Sequence, residues 1–130
     1  MGVVVAAGVL LAMIGAALPG CGLLLRNTDI GTSEISYIGG ELVTTEDTAI
    51  SDLYSACSVA VGTLGYEAGE QTLDEDLKRG RLRAQTARGE RVEIGLIARG
   101  SGRTELHIRV GVAGDEVRSR LVLEQIHRSL

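Results

Sequence analysis

Three segments of this chain alternate apolar and polar residues with a period of two. Leu82, Ala84 and Thr86 alternate with Arg81, Arg83 and Gln85. Val92, Ile94, Leu96 and Ala98 alternate with Arg91, Glu93 and Ile97, and Thr104, Leu106, Ile108 and Val110 with Glu105, His107 and Arg109. Such alternation marks strands with one buried and one wet face. Arg88-Gly89 and Gly100-Ser101-Gly102 fall where hairpin turns are needed. A helical period takes over between Ala49 and Leu64. Ile50, Leu53, Tyr54, Ala56, Cys57, Ala60 and Val61 share one face there, and only Val59 is out of place. Thr44 to Thr48 offer capping and acidic first-turn chemistry for that helix, and Gly65 offers a stop.

The remaining segments complete the order. Ile35 to Val43 reads as one strand with Gly39-Gly40 as a bulge. Tyr66 to Thr72 reads as a short strand, and Leu73 to Arg79 as an acidic turn. Past Gly111-Val112-Ala113-Gly114, Asp115 is placed to cap a last helix. Its main apolar face is Val122, Leu123, Ile126 and Leu130, while Val117 and Leu121 lie together on the other side. A helix with one face on a core has no need of that second pair. The expected fold class is α+β, in the order β-α-β-β-β-β-α. It is a mostly antiparallel sheet with two helices packed on one face. The other face then carries Arg81, Arg83, Arg91, Glu93, Glu105, His107 and Arg109 to solvent.

An uncharged apolar run from Val3 to Leu18 precedes all of this, and the first charged side chain is Arg26. The run is short of the ~20 residues a membrane span needs. Pro19-Gly20 breaks a helix just beyond it. Leu18-Pro19-Gly20-Cys21 resembles the bacterial lipobox. The resemblance implies cleavage between Gly20 and Cys21 and a covalent lipid on Cys21. Acyl chains anchor through ~0.8 kcal/mol per buried CH₂, and two or more hold stably. Gly22 rather than Asp after Cys21 implies an outer-membrane address, facing the periplasm of the cell envelope. Two other readings of the run stay open. An uncleaved anchor could recruit Leu23, Leu24 and Leu25, with Pro19 and Gly20 inside the span. An ordinary secretory signal or buried helix is the other. The expected organisation is a signal peptide over 1–20, a lipidated Cys and tether over 21–34, and one α+β domain over 35–130.

Composition narrows the function classes. The chain has no Phe, no Trp and three Tyr, so its core is aliphatic. Stacking platforms for single-stranded nucleic acid need rings that are missing, and a net charge of −4 gives no basic footprint. No nucleic-acid partner is expected. Residues 1–77 hold one basic and eleven acidic side chains, and residues 78–130 hold twelve basic and six acidic. Interleaving of the two halves in one sheet is the plain account of that split. With Cys21 lipidated, Cys57 is a lone thiol, which in an oxidising compartment is expected to be buried.

No catalytic constellation stands out. The two Cys and the two His are too far apart in sequence for a metal motif, and no metal is expected. Asp74, Glu75 and Asp76 lack the alternation and central Gly of a calcium loop. Ser119, His107 and Asp115 can be named as a triad, but nothing activates Ser119, and Asp115 serves better as a cap. An open pocket holding His107 with two carboxylates is what an enzyme would require. Gly111 to Asp115 leads into a helix N-terminus, yet Asp115 occupies the place an anion would take. No catalytic residues, and no cofactor beyond the lipid, are expected. Interaction candidates are Val117 and Leu121 for a protein partner or second copy. Arg81, Arg83, Arg91 and Arg109 are the candidates for anionic headgroups or small anions. The membrane is met through the lipid anchor.

The chain resembles a family of small bacterial lipoproteins of unknown function. The residues carrying the likeness are the lipobox at Leu18 to Cys21 and Tyr37-Ile38-Gly39-Gly40-Glu41-Leu42, then Tyr54, Ala60 and Leu64-Gly65. The closing segment is the most specific part: Thr104, Ile108-Arg109-Val110-Gly111, Gly114-Asp115, Ser119-Arg120 and Ile126. The resemblance implies the location and the α+β domain. It implies no activity.

Overall fold

The computed structural model describes residues 34–76 and 78–130. Among them six strands and two helices follow in the order β1 (Ser36–Ile38), β2 (Glu41–Glu46), α1 (Ile50–Thr63), β3 (Glu67–Asp74), β4 (Arg79–Gln85), β5 (Arg91–Ala98), β6 (Thr104–Val110) and α2 (Glu116–Arg128). They form one antiparallel sheet in the spatial order β1-β2-β6-β5-β4-β3. Strands β3 to β6 make a meander. Helix α1 carries the chain from β2 across the sheet to β3 at the far edge, and α2 returns along β6 and β2 beside α1. The α+β class and the element order are those the periodicity predicts.

The alternating positions divide as expected. Leu82, Val92, Ile94, Leu96, Leu106, Ile108 and Val110 point to the helices and are essentially inaccessible to water. They meet Leu53, Cys57, Ala60 and Val61 of α1 and Val122, Leu123 and Ile126 of α2 in one cluster. Each fully buried aliphatic side chain contributes roughly 1.5–3 kcal/mol relative to exposure. Ala56 and Ala60 keep the contacting face of α1 small. Val59, out of step with its helix, is exposed.

The first strand differs from its prediction. Gly39 and Gly40 both have positive φ, 64° and 85°, and Ile38 pairs directly with Glu41. That is a two-residue type I′ hairpin turn, for which Gly-Gly is suited because both central residues need φ above zero. The single strand with a bulge is therefore two strands. The bulge lies in β3 instead, where the register with β4 shifts between Ala68 and Gln71.

Helix ends divide in the same manner. Asp115 caps α2 by accepting the Arg118 N–H at 3.0 Å. At the end of α1, Gly65 has φ +78°, its N–H donates to the Gly62 carbonyl, and the Tyr66 N–H donates to the Val61 carbonyl. This is the Schellman arrangement. The start of α1 departs from expectation: Thr44 to Glu46 continue β2, and Ala49 caps with no side-chain bond. The Thr48 carbonyl instead accepts from Thr104 Oγ1 at 2.7 Å, which ties the loop to β6. Strand β3 runs on to Asp74, shortening the expected acidic turn, and Leu130 lies exposed beyond the end of α2.

Candidate functional site

The two segments most characteristic in sequence meet in space. The Gly39-Gly40 turn lies against the Gly111–Gly114 turn, and a Cβ on Gly114 would run into the backbone of Gly40. Arg109 holds both turns. Its Nη2 donates to the Gly39 carbonyl at 2.9 Å and its Nη1 to the Val112 carbonyl at 3.3 Å. Those bonds assign Arg109 to the joint between two loops rather than to an external anion.

The other three candidate arginines do not form a cluster of free cations. Arg83 lies 3.5 Å from Glu70 and 3.6 Å from Glu93. Arg91 is exposed at the start of β5, and its carbonyl accepts the Gly111 N–H at 2.7 Å. Arg81 makes no ion pair among the described residues. It shares a row with Gly95 and His107, since Arg81 pairs with Gly95 across β4–β5 and Gly95 with His107 across β5–β6. Gly95 has no side chain to fill this row, and an open depression of about 360 Å³ results.

His107 stands at one wall of that depression, with the carboxylates of Glu41 and Glu93 also lining it. His107 Nδ1 lies 3.1 Å from Glu41 Oε1. Its Nε2 lies 3.4 Å from Glu105 Oε1 without hydrogen-bond alignment. Glu105 also accepts from Arg99 at 2.6 Å. The Arg99 hydrogen bond holds the Glu105 carboxyl below the usual glutamate range, against partial burial and with help from His107. A histidine and three carboxylates, with Asp74 the third, thus share an open pocket, which composition and spacing did not reveal. The signal available in sequence was Gly95 among bulky alternating residues.

The named triad is not assembled. Ser119 is buried on the helix side of the sheet with its Oγ unpartnered among the described residues, while His107 is on the opposite face. Asp115 is occupied as the cap of α2. Among the described residues no group of three His, Cys, Asp or Glu is arranged around a metal position. Cys57 is a free, buried thiol, and burial pushes its pKa up to about 12, with the Glu46 charge adding to the rise.

Val117 and Leu121 are brought together. They lie one turn apart on the outer face of α2, 70% and 51% exposed. Ile35, at the start of the described domain, joins them along a groove of about 400 Å³. Gly20 and Cys21 lie outside the described residues. Among the described residues no helix is long and apolar enough to cross a membrane.

The fold and these surfaces define a small α+β domain with helices on one sheet face, a charge-paired sheet face on the other, and an apolar strip on its last helix. The chain belongs to the family described as protein of unknown function (DUF3568), whose model matches residues 4–129. No curated protein matches the chain.

Proposed function

We propose that this chain is a lipid-anchored domain of the bacterial cell envelope, facing the periplasm, that acts by protein contact rather than by catalysis. The observation that carries the contact role is the pair Val117 and Leu121, two large aliphatic side chains exposed side by side on a helix whose other face already fills the core. Groups of this kind gain from being covered. The anchor rests on the Leu18–Cys21 pattern. The family match supports treating the apolar run and the domain as one unit, because it extends over both.

Two measurements test the two parts. Labelled fatty acid should enter the wild type and fail to enter Cys21→Ser; equal labelling of both removes the anchor. Photocrosslinkers placed at positions 117 and 121 in cells should trap a protein. If they trap nothing, the contact role loses its support.

The depression over Gly95 favours a second reading, a binding module for anionic headgroups or small anions. Arg81, beside Arg79 in the lining, is the candidate that carries it, since Arg83 and Arg109 are engaged within the fold. Arg81→Glu should then abolish salt-sensitive binding to anionic vesicles, and an unchanged salt response would end this reading. Catalysis ranks below both. Glu41 and Glu105 face the His107 ring at its two nitrogens, which favours a holding role for the ring over proton transfer to a substrate.

A further inference from the structure

We infer that α2 is a self-association surface, and that the occupant of the Val117–Leu121 strip is the same helix of a second copy, running antiparallel. This names the partner at the surface proposed above and rests on the contact reading of Val117 and Leu121, not on the anchor.

The argument starts from a ladder of charges. Glu116, Arg120, Glu124 and Arg128 follow one another at intervals of four along α2, alternating in sign. Within the helix they pair in two rungs, Glu116 with Arg120 at 3.0 Å and Glu124 with Arg128 at 3.7 Å. All four are about half exposed or more. Such i, i+4 pairs are worth little by themselves. The sequence of signs is the informative part. Read forwards it runs minus, plus, minus, plus; read backwards it is inverted. A copy of this helix laid antiparallel is therefore its electrostatic complement.

The register is specified as well. Val122 is the midpoint of Glu116–Arg128. With a twofold axis passing there, the two helices overlap along their full length. Glu116 then faces Arg128 of the second copy, and Arg120 faces its Glu124. Sliding one helix by a single turn in either direction sets Glu against Glu and Arg against Arg. A parallel pair in register does the same. Such clashes exclude alternatives as effectively as the good register attracts.

The groove holds the middle of the ladder. Its α2 lining is Val117, Arg120, Leu121, Leu123, Glu124 and His127. In the full-overlap register Arg120 faces Glu124, so this charged pair of the groove has its mate inside it, while Leu123 is only 4% exposed and belongs to the core of its own copy. A charge ladder that meets its own complement under a twofold is what an isologous dimer requires. Neither feature favours a lipid surface as occupant, because the ladder carries no net charge. One helix face is smaller than a standard interface, so the contact is weak in dilute solution. Confinement of anchored copies to one membrane raises their effective concentration.

The test uses the full chain in detergent. Arg120→Glu with Arg128→Glu makes the ladder acidic throughout, and Glu116→Arg with Glu124→Arg makes it basic throughout. The wild type should self-associate in sedimentation, less so at high salt. Each double variant alone should lose about tenfold or more in association, and an equimolar mixture of the two should recover it. Helical circular dichroism and an unchanged melting transition establish that each variant is folded. A wild type that stays monomeric up to about 1 mM overturns the inference. So does self-association of either variant alone, or a mixture that does not associate. In cells, a crosslinker at position 121 should join two copies. An adduct with a different protein alone overturns self-pairing and leaves the contact reading standing, while no adduct overturns both.

Discussion

Replacing Gly114 by alanine should cost this domain about twice what the same change costs at Gly111, although the two residues share one turn. Both have positive φ, 90° and 81°. An alanine in that conformation costs about 1–2 kcal/mol. At Gly111 nothing lies within 4 Å of the new methyl group, so that figure is the whole effect. At Gly114 the methyl group meets the backbone of Gly40. Neither backbone can retreat freely, since Arg109 binds the carbonyls of Gly39 and Val112 on the two sides. Overpacking against groups that cannot move adds about 1–3 kcal/mol. The expected loss is thus about 2–5 kcal/mol, a large fraction of the 5–15 kcal/mol typical of a small domain. Gly62 supplies a control of opposite sign. It lies inside α1 with open space around it, so Gly62→Ala should gain up to about 1 kcal/mol of helix propensity. Urea unfolding separates the three. With a slope of about 1.5–2 kcal/mol per molar, the midpoints of the Gly62 and Gly114 variants should differ by roughly 1 M or more. If Gly114→Ala costs no more than Gly111→Ala, the Gly40–Gly114 approach is not what joins the two turns.

Three further outcomes follow from buried or paired groups. In a Cys21→Ser background, Cys57 should resist thiol reagents at neutral pH until the protein unfolds. Its pKa is raised by burial from 9.0 to about 12, so stability should be complete below pH 9.0 and fall progressively towards about 12; rapid native labelling would contradict this. The Glu105 carboxyl is lowered, chiefly by Arg99, so it contributes stability above the unfolded glutamate value that is lost as pH falls through the folded one. Glu105→Gln should therefore flatten the acid limb of a pH–stability curve, and an unchanged limb counts against the Arg99 bond. Ser119→Ala removes a buried hydroxyl with no partner among the described residues and should stabilise by about 1 kcal/mol in urea unfolding, whereas a clear loss would reveal a partner for Oγ.

The strands of the meander and both helices were legible because each carries its full period. Leu82, Val92, Ile94, Leu96, Leu106, Ile108 and Val110 keep the two-residue spacing within their strands, and in α1 only Val59 is out of step and exposed. The hairpin at Gly39-Gly40 was hidden because strands β1 and β2 are short and apolar on either side of it, so their period runs on through the turn. The start of α1 was misplaced because Thr44 to Glu46 suit either a helix cap or a strand. Pairing with β6 decides for the strand, and local propensity carries no information about that partner. The surface strip was legible, since Val117 and Leu121 violate the one-faced pattern of α2. The depression was not. It arises from three residues on three strands, and only the register of β4, β5 and β6 brings Arg81, Gly95 and His107 into one row.

That register also shows how far interleaving explains the uneven charge along the chain. Strand β2 belongs to the acidic first half, yet it lies beside β6 and under α2, both from the basic second half. Both histidines of the protein meet it there: His107 approaches Glu41 at one end of β2, and His127 approaches Glu46 at the other, each within about 3 Å. Arg103 reaches Asp47 just beyond the strand, and Arg83 reaches Glu70 across β3 and β4. The halves do neutralise each other where strands from both sides are adjacent. The ladder on α2 stands outside this scheme. Its two acids and two bases all come from the second half and pair only along their own helix. Folding of one chain gives those four charges no cross-strand partner, whereas a reversed copy of α2 gives every one of them a partner. Interleaving thus accounts for the acids of β2 and for Glu70 of β3, and self-association accounts for a pattern that interleaving leaves unexplained.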